Sequence, residues 1–347
     1  MARNSSAGWR YRLMSVVCII LGTILALMIF ATAYIETLLN RIDRPEDTLL
    51  SSEEIEQIID DEALQATGTG PTINAEDIPM QEAPPELTQS QDIINIMLVG
   101  KDARPGQITS RSDAMILCTI DRSDNTVTMT SFLRDIYVQI PGQKNNKLNA
   151  AYAFGGMDLL SQTMTQNFGV KIDNTVAVDF SGFMEIIDMV GGVQISLTAD
   201  EANYLNRRGN WEVTDESGWK LQPGPNLLTG SQALAYSRIR HIGSDFGRVE
   251  RQKAVLTALA EKAKTMDLTQ LNALVNQMVT LISTDMTNAE ITGYVIDLFP
   301  MLKDLKIKTQ TIPVKGTYSF SVIKGVGDSI IMDFDANLEI LRQTLEQ

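Results

Sequence analysis

The chain has 347 residues, of which 44% are hydrophobic and 21% are charged, and its formal net charge is −14 at pH 7. This length allows one large folded core or two small ones before any membrane segment is subtracted. Residues 36–93 alone hold 15 acidic and 2 basic side chains, so the acidity lies mostly in one segment. No basic domain remains for a nucleic-acid partner, and we expect none.

The first predicted element is a transmembrane helix over residues 13–35. This stretch contains 23 residues without a charge, which is long enough to cross a hydrocarbon core of about 30 Å. Arg3, Arg10 and Arg12 precede it, so the positive-inside rule places residues 1–12 in the cytoplasm. A cleaved signal peptide is the alternative, but its apolar region normally has only about 7–15 residues. We therefore expect a single-pass anchor in the cell membrane and an extracytoplasmic domain.

Residues 36–92 are predicted to be an acidic extracytoplasmic linker. Ser51 to Glu62 could form a short helix, and the Pro, Gly, Thr and Gln-rich remainder is typical of a solvated spacer that does not fold alone. The two cysteines cannot pair, because Cys18 lies in the predicted membrane helix and Cys118 in an apolar strand.

Residues 93–347 are predicted to form the folded domain. Apolar runs bounded by turn residues predict strands, namely 93–99, 114–120, 126–132, 175–178, 193–197 and about 307–312. The turn at residues 123–125 makes the second and third strands a hairpin.

Helices are predicted between these strands, at residues 148–168, 180–190, 231–240, 248–264, about 268–282, about 288–302 and from 335 onward. Thr229 is the expected N-cap of the third of them. Because strands and helices interleave, we expect an α/β or α+β fold with a mixed central sheet covered by helices.

Several classes of catalytic site are excluded by residue type. His241 is the only histidine, and the sequence contains no Gly-x-Ser-x-Gly, Walker, Cys-x-x-Cys or His-Glu-x-x-His motif. A zinc site would lack its usual ligands, and a serine triad would depend on His241. Carboxylate, guanidinium and amide groups are left to carry the chemistry.

One group of charged residues lies at predicted strand ends: Asp102, Arg104, Arg111, Asp113, Arg134 and Asp135. If the first two strands are antiparallel neighbours, Asp102 and Asp113 lie at the same edge of the sheet. Two carboxylates there could hold Mg²⁺, which prefers oxygen ligands. The alternative is that each residue is merely solvated or salt-bridged.

A second group follows the predicted helix at 231–240: Arg238, Arg240, Asp245, Arg248, Arg251 and Gln252. Guanidinium groups bind phosphate oxygens in a two-pronged contact, so such a cluster suits a pyrophosphate. It could also be an ordinary solvated helix face. Lys147 and Asn149 could contact substrate or cap a helix.

Five phenylalanines are candidates for a lipid-tail pocket, although such residues more often form plain core. They are Phe132, Phe154, Phe168, Phe180 and Phe183.

Several ordered motifs resemble the LytR-CpsA-Psr family of cell-wall enzymes. They are GKDAR at 100–104, SRSDAM at 110–115, LRD at 133–135, KLNAAY at 147–152, YSRIR at 236–240, DFGR at 245–248 and RQ at 251–252. The resemblance covers roughly residues 95–264. It implies transfer of an anionic glycopolymer, such as teichoic acid or capsule, from a polyprenyl-pyrophosphate carrier to peptidoglycan in a Gram-positive cell wall.

The resemblance also implies roles for individual residues. Asp102 and Asp113 would hold Mg²⁺ or Mn²⁺. The pyrophosphate contacts would be Arg111, Arg134, Arg238, Arg240, Arg248 and Gln252, and Arg104, Lys147, Asn149 and Arg251 are further candidates for substrate binding. Asp135 or Asp102 could accept the proton of the attacking hydroxyl. His241 and Asp245 receive no role. Two other functions stay open, a polyprenyl-phosphate-binding regulator without turnover and a pyrophosphate hydrolase.

Overall fold

The computed structural model describes residues 28–47, 49–56, 58, 68, 70–79, 82–85, 87, 90–102, 111–207, 219–243 and 245–345. The chain divides into two compact units, residues 1–42 and 43–347. In the first unit, residues 28–39 form a helix, α1. Within the described part of the chain, no helix has the length and hydropathy needed to cross a membrane. Residues 13–27 of the predicted span lie outside the described residues, so the anchor stays a prediction.

The strands of the second unit are, in chain order, β1 (Thr72–Ile73), β2 (Ile93–Asp102), β3 (Arg111–Asp121), β4 (Thr126–Phe132), β5 (Tyr137–Val138), β6 (Asn146–Lys147), β7 (Asn174–Asp179), β8 (Val193–Leu197), β9 (Gly224–Leu228), β10 (Ile282–Thr284), β11 (Lys306–Ile312), β12 (Tyr318–Ile323) and β13 (Gly327–Met332).

The helices of this unit are α2 (residues 52–56), α3 (Leu148–Phe168), α4 (Phe180–Met189), α5 (Ala199–Leu205), α6 (Gly230–Ser237), α7 (Asp245–Lys264), α8 (Leu268–Met278), α9 (Asn288–Leu298) and α10 (Phe334–Leu345). Two short 3₁₀ helices occupy Ala75–Asp77 and Phe299–Asp304.

A six-stranded mixed sheet in the order β10-β7-β2-β3-β4-β11 is the centre of the domain. Strands β2, β3 and β4 are consecutive and antiparallel, while β7 pairs with β2 and β11 with β4 in parallel. This confirms the predicted mixed sheet covered by helices and the predicted hairpin at residues 123–125.

One face of the sheet packs in the main hydrophobic core and the other lines a cavity, because successive side chains of a strand point to opposite sides. Met97, Val99, Met115 and Leu117 belong to the main hydrophobic core, which also includes residues of α3 and α10. The alternate residues of the same strands, including Leu98 and Ile116, line a cavity on the other face. The site described below is therefore built on the face that α3 does not cover.

The boundary predicted at residue 93 is wrong in one respect, since part of the predicted spacer is folded into the domain. Ile55 and Leu87 are buried in the main core, with Leu50 and Ile58 packed against it. β1 also pairs with β12 in parallel. These apolar residues stand singly or in pairs among acidic and polar ones, so the average composition of residues 36–92 conceals them.

Helix α6 ends earlier than predicted, and the difference shapes the site. Thr229 is its N-cap as predicted, with its hydroxyl accepting a hydrogen bond from the backbone N–H of Gln232, but the helix ends at Ser237. Arg238 is the C-cap with non-helical angles (φ −102°, ψ 1°), so Arg240 lies beyond the helix. In the same way, α8 ends at Met278, and Ile282 starts a strand that the sequence pattern assigned to a helix.

Candidate functional site

A cavity of about 780 Å³ lies between the sheet and the helices on its second face. Its apolar lining includes Leu98, Ile116, Val176, Val178, Phe180, Phe183, Met184, Ile186, Leu234, Leu256, Leu259, Met278 and Ile282. Its charged and amide groups are Asp102, Asp113, Asp179, Arg238, Arg240, His241, Arg248 and Gln252. A large apolar pocket with a few convergent polar groups suits a ligand with a charged head and an apolar tail.

Helix α7 shows how the lining changes from polar to apolar. Arg248, Gln252, Leu256 and Leu259 all line the cavity, and their spacing places them along one face of the helix. Arg248 is only 4% exposed. At 1.5 Å of rise per residue, Arg248 and Leu259 lie roughly 16 Å apart along the helix axis. The charged head of a ligand would therefore lie near the start of α7 and its tail farther along.

Asp102 and Asp113 both line the cavity, as the antiparallel pairing of their strands predicts. Gly100 lies opposite Ala114 and Lys101 opposite Ser112, so Asp113 has no residue opposite it and forms a β-bulge. A bulge re-aims side chains next to it. Asp113 and Ala114 consequently both line the cavity although they are neighbours in the chain.

The carboxylate of Asp113 is surrounded by arginines. Arg134 donates a hydrogen bond from Nη1 to Asp113 Oδ1 at 2.6 Å. Burial alone would raise the pKa of Asp113, but the positive charges of Arg134, Arg248 and Arg240 and the hydrogen bond outweigh it, and the pKa is lower than usual. Asp113 is therefore ionised at neutral pH.

The donor set at this edge fits Mg²⁺ or Mn²⁺. Two carboxylates supply hard oxygen ligands, and both ions commonly complete their coordination with water and phosphate oxygens. No group of three or more His, Cys, Asp or Glu that could hold a metal occurs among the described residues. An ion at this edge would be held by Asp102 and Asp113, with its other positions open to water and phosphate.

Arg238, Arg240 and His241 line the cavity from the segment after α6. The guanidinium carbon of Arg238 lies 4.6 Å from the ring centroid of Phe180, a cation–π contact that orients the group. Both arginines are exposed, whereas Arg248 is buried. The early end of α6 is what turns this segment toward the cavity. Both arginines were predicted site residues, whereas His241 had no predicted role.

Arg251 does not line the cavity, so the structure does not support its predicted role in substrate binding. Its Nε contacts Glu201 Oε1 at 2.8 Å, and both side chains are buried. Its terminal nitrogens donate to the carbonyls of Ile239 at 3.2 Å and Ile242 at 2.7 Å. Arg251 thereby holds the segment that carries Arg240 and His241. Arg251 lies three residues after Arg248, so helical spacing alone does not separate it from the residues that line the cavity.

Lys147 and Asn149 are also outside the cavity lining. They are 7% and 3% exposed. Lys147 is the N-cap of α3 and makes no side-chain capping hydrogen bond within the described chain. The structure therefore supports neither the contact role nor the capping role that the sequence left open for them.

Arg134 and Asp135 are not among the residues that line the cavity. Arg134 reaches the site through Asp113, and its Nε lies 3.3 Å from Asp135 Oδ2. Arg104 lies outside the described residues, and only the backbone of Arg111 and Asp245 is described. Arg111 pairs with Asp102 across β2 and β3.

The phenylalanines divide between the two faces of the sheet. Phe180 and Phe183 line the cavity, whereas Phe132, Phe154 and Phe168 are buried in the main core. The aliphatic lining residues were not predicted from the sequence. Two signals could have identified them: the alternation of side chains along β2 and the spacing of Arg248, Gln252, Leu256 and Leu259 along one face of α7.

The LytR_cpsA_psr family model matches residues 62–336. The chain is 30% identical to regulatory protein MsrR of Staphylococcus aureus (strain COL) over 261 residues, which cover 73% of this chain and 75% of MsrR. It is 33% identical over 186 residues to the polyisoprenyl-teichoic acid–peptidoglycan teichoic acid transferase TagT of Bacillus subtilis (strain 168). That match covers 52% of this chain and only 56% of TagT.

Solved structures with the same fold include ligand complexes. TagT bound to LIIa-WTA superposes with a TM-score of 0.60 at 26% identity, over 79% of this chain and 97% of TagT. YwtF (TagT) with bound octaprenyl pyrophosphate lipid gives a TM-score of 0.55 at 25% identity, with coverage of 79% and 97%. B. subtilis TagV gives 0.59 at 28% identity, with coverage of 74% and 97%.

Proposed function

The chain belongs to the LytR_cpsA_psr family, and on this premise we propose that it transfers an anionic glycopolymer from a polyprenyl-pyrophosphate carrier to peptidoglycan. The observation that carries the proposal is the cavity, in which one continuous lining joins an apolar chamber to Asp102, Asp113 and three arginines. Teichoic acid transferases are among the relatives, and one related structure holds a prenyl pyrophosphate. The cavity of this chain has the chemistry that such a ligand requires.

The arginines would act on the pyrophosphate through charge and position. Attack by a sugar hydroxyl forms a bond from its oxygen to the glycopolymer-side phosphorus, and the bond to the leaving polyprenyl phosphate breaks. Negative charge develops on the phosphoryl and leaving oxygens. Arg238, Arg240 and Arg248 line the cavity and would place guanidinium groups where that charge develops, which is usually the largest source of catalysis in such sites. A divalent ion held by Asp102 and Asp113 would neutralise phosphate charge there.

The proton of the attacking sugar hydroxyl needs an acceptor, and the structure changes which residues are the best candidates for this general base. Asp135 does not line the cavity and lies beside Arg134. Asp102 would be occupied by the ion, which makes it a poor base. His241 lines the cavity and is exposed, so an acceptor sugar arriving from solvent can reach it. We therefore add His241 to the candidates for the general base.

Loss of a single arginine of the cavity should weaken ligand binding itself, because its two-pronged contact with the phosphate is lost. Arg238→Ala should reduce affinity for a polyprenyl pyrophosphate by about 10- to 150-fold, because a charge-assisted hydrogen bond contributes roughly 1.5–3 kcal/mol. Arg240→Lys should not retain full binding, since an ammonium cannot reproduce the planar two-pronged contact. Titration calorimetry with a short-chain prenyl pyrophosphate measures both. Arg342→Ala, an exposed arginine on α10, is the matched control, and an equal loss in that variant would contradict the assignment.

The proposed reaction requires the domain to be outside the cell, which follows from the predicted anchor and the positive-inside rule. The full-length protein should fractionate with membranes, and protease added to intact protoplasts should degrade residues 94–347. Disruption of the protoplasts should then cause no further loss. Protection of the domain in intact protoplasts, or a soluble form that begins near Tyr34, would overturn this topology.

A further inference from the structure

The outer surface of α9 carries an unusual group of exposed apolar side chains. Val295, Ile296 and Phe299 are 56%, 67% and 47% exposed. Their i, i+1 and i+4 spacing places them on one face of the helix and its 3₁₀ extension, and we call these three residues the apolar stripe. Large apolar residues grouped on an exposed face usually mark a contact surface.

Charged side chains are largely absent from the segment that precedes α9. The 17 residues between Asp267 and Asp285 contain no charged side chain, although much of α8 is exposed. The two carboxylates of α9 are both engaged. Glu290 accepts hydrogen bonds from the backbone N–H and hydroxyl of Thr287 at 2.8 and 2.7 Å, and Asp297 pairs with Arg122 at 3.0 Å. Asp297 is therefore paired with an opposite charge, and Lys303 and Asp304 lie at the far end of the 3₁₀ extension.

The same chain segment forms part of the cavity. Met278 at the end of α8 and Ile282 at the start of β10 both line it, and α9 begins six residues later. The α8–β10–α9 segment thus contributes two apolar residues to the cavity lining and exposes the apolar stripe elsewhere on its surface. A ligand tail that leaves the cavity beside this segment would emerge near an apolar surface.

Asp43 and Arg44, which follow the predicted anchor in the chain, are hydrogen-bonded to this segment. Arg44 donates from Nε to the carbonyl of Met286 and from Nη2 to Asn288 Oδ1, both at 2.6 Å. The carbonyl of Asp43 accepts from the N–H of Thr284 at 3.0 Å. If residues 13–35 span the membrane, only seven residues, 36–42, separate that span from Asp43. Seven extended residues reach no more than about 25 Å.

We propose that the apolar stripe of α9 docks on the outer surface of the lipid bilayer and brings the adjoining cavity wall, formed by Met278 and Ile282, toward it. The polyprenyl tail then enters the cavity past these two apolar residues. This inference rests on the proposed function. It names the bilayer, not a second copy of the chain, because Asp43 and Arg44 attach at the start of α9 and only seven residues separate Asp43 from the predicted span.

The direct test places a fluorophore on the stripe in the full-length protein. Ile296→Cys is labelled with nitrobenzoxadiazole in a Cys18→Ser background and reconstituted in phosphatidylcholine–phosphatidylglycerol vesicles that contain a doxyl-labelled lipid. Cys118 should stay unlabelled, because burial raises the pKa of its thiol to about 12 and the thiolate is the reactive form. Leu227→Cys, 60% exposed on β9, is the matched control.

We expect blue-shifted emission and strong quenching of the label at residue 296, and neither at residue 227. Equal, weak quenching at both positions would overturn the proposal. A blue shift at residue 296 in vesicles without quenching by the doxyl-labelled lipid would assign the stripe to a second copy and would also overturn it.

A binding measurement separates this inference from the proposed function. Ile296→Asp should lower the occupancy of a long-chain polyprenyl pyrophosphate taken from vesicles by on the order of tenfold, since a buried Ile side chain is lost from the contact. Binding of a short, water-soluble prenyl pyrophosphate should be unchanged, and Leu227→Asp should change neither. If the unmodified protein fails to bind the short ligand, the proposed function is wrong. If both ligands bind Ile296→Asp normally, the docking surface is wrong.

Discussion

Asp113→Ala should abolish metal dependence and lower turnover by about 10²- to 10³-fold, the range seen when one preorganised electrostatic group is removed from a site. Asp113 is the carboxylate on which Arg134, Arg240 and Arg248 act, so its loss removes the proposed ion and separates the arginines from their shared partner. The arginines themselves remain, and binding of a prenyl pyrophosphate should partly persist. Calorimetric titration with Mg²⁺ and with the ligand, beside a transfer assay, measures the three quantities independently.

Asp135→Asn is the matched control for this prediction. Asp135 also contacts Arg134 but does not line the cavity, so Mg²⁺ binding should survive in the variant. If Asp102 and Asp113 can both be replaced while Mg²⁺ binding and turnover stay unchanged, the metal assignment is wrong. The arginines would then have to account for the activity alone.

The pH dependence of metal binding follows from the same arrangement. The pKa of Asp113 is lower than usual, since the arginines outweigh the effect of burial. Its ionised form should therefore persist as the pH falls below the ordinary range of an aspartic acid, and Mg²⁺ binding at Asp113 should be lost only in more acidic solution.

Arg251→Met should cost about 3–5 kcal/mol of stability, because it leaves the buried carboxylate of Glu201 without its ion-pair partner. The pair is 7% and 9% exposed, and Arg251 also donates to two carbonyls of the segment before α7. For a chain of this size, that loss corresponds to a drop in Tm of roughly 10 °C. Differential scanning calorimetry of the full-length protein measures it.

The double variant Glu201→Gln, Arg251→Met distinguishes a structural role from a ligand contact. Removal of both charges should restore part of the lost Tm, because no isolated buried charge remains. Prenyl pyrophosphate affinity at a temperature where the protein is folded should be close to normal. A large loss of affinity in a stably folded double variant would contradict the view that Arg251 only positions its neighbours.

Much of the site could be predicted from local sequence, because it lies at strand ends. The pattern of apolar runs identified β2 and β3, their antiparallel pairing followed, and Asp102 and Asp113 came together as a result. The β-bulge at Asp113 was not predicted, because it depends on the relative register of two strands; Gly100, beside the register shift, was the one local signal.

Features decided by tertiary packing could not be predicted from the sequence. Arg248 and Arg251 share α7 and residue type, yet one lines the cavity and the other is buried against Glu201. Only the positions of α5 and α6 around α7 decide between these roles. The same holds for Leu87, an apolar residue in a polar segment that becomes core because α3 and the sheet leave space for it.

Transfer of the glycopolymer is the central claim, and one incubation tests it most directly. The purified full-length protein is mixed with Mg²⁺, peptidoglycan and a polyprenyl-pyrophosphate-linked oligosaccharide labelled in the sugar. We predict label covalently attached to peptidoglycan, with release of one polyprenyl monophosphate for each attachment. Labelled sugar phosphate released into solution without conjugate would show a hydrolase, and lipid bound stoichiometrically with no product would show a regulator without turnover. Either result would contradict the proposed transferase function.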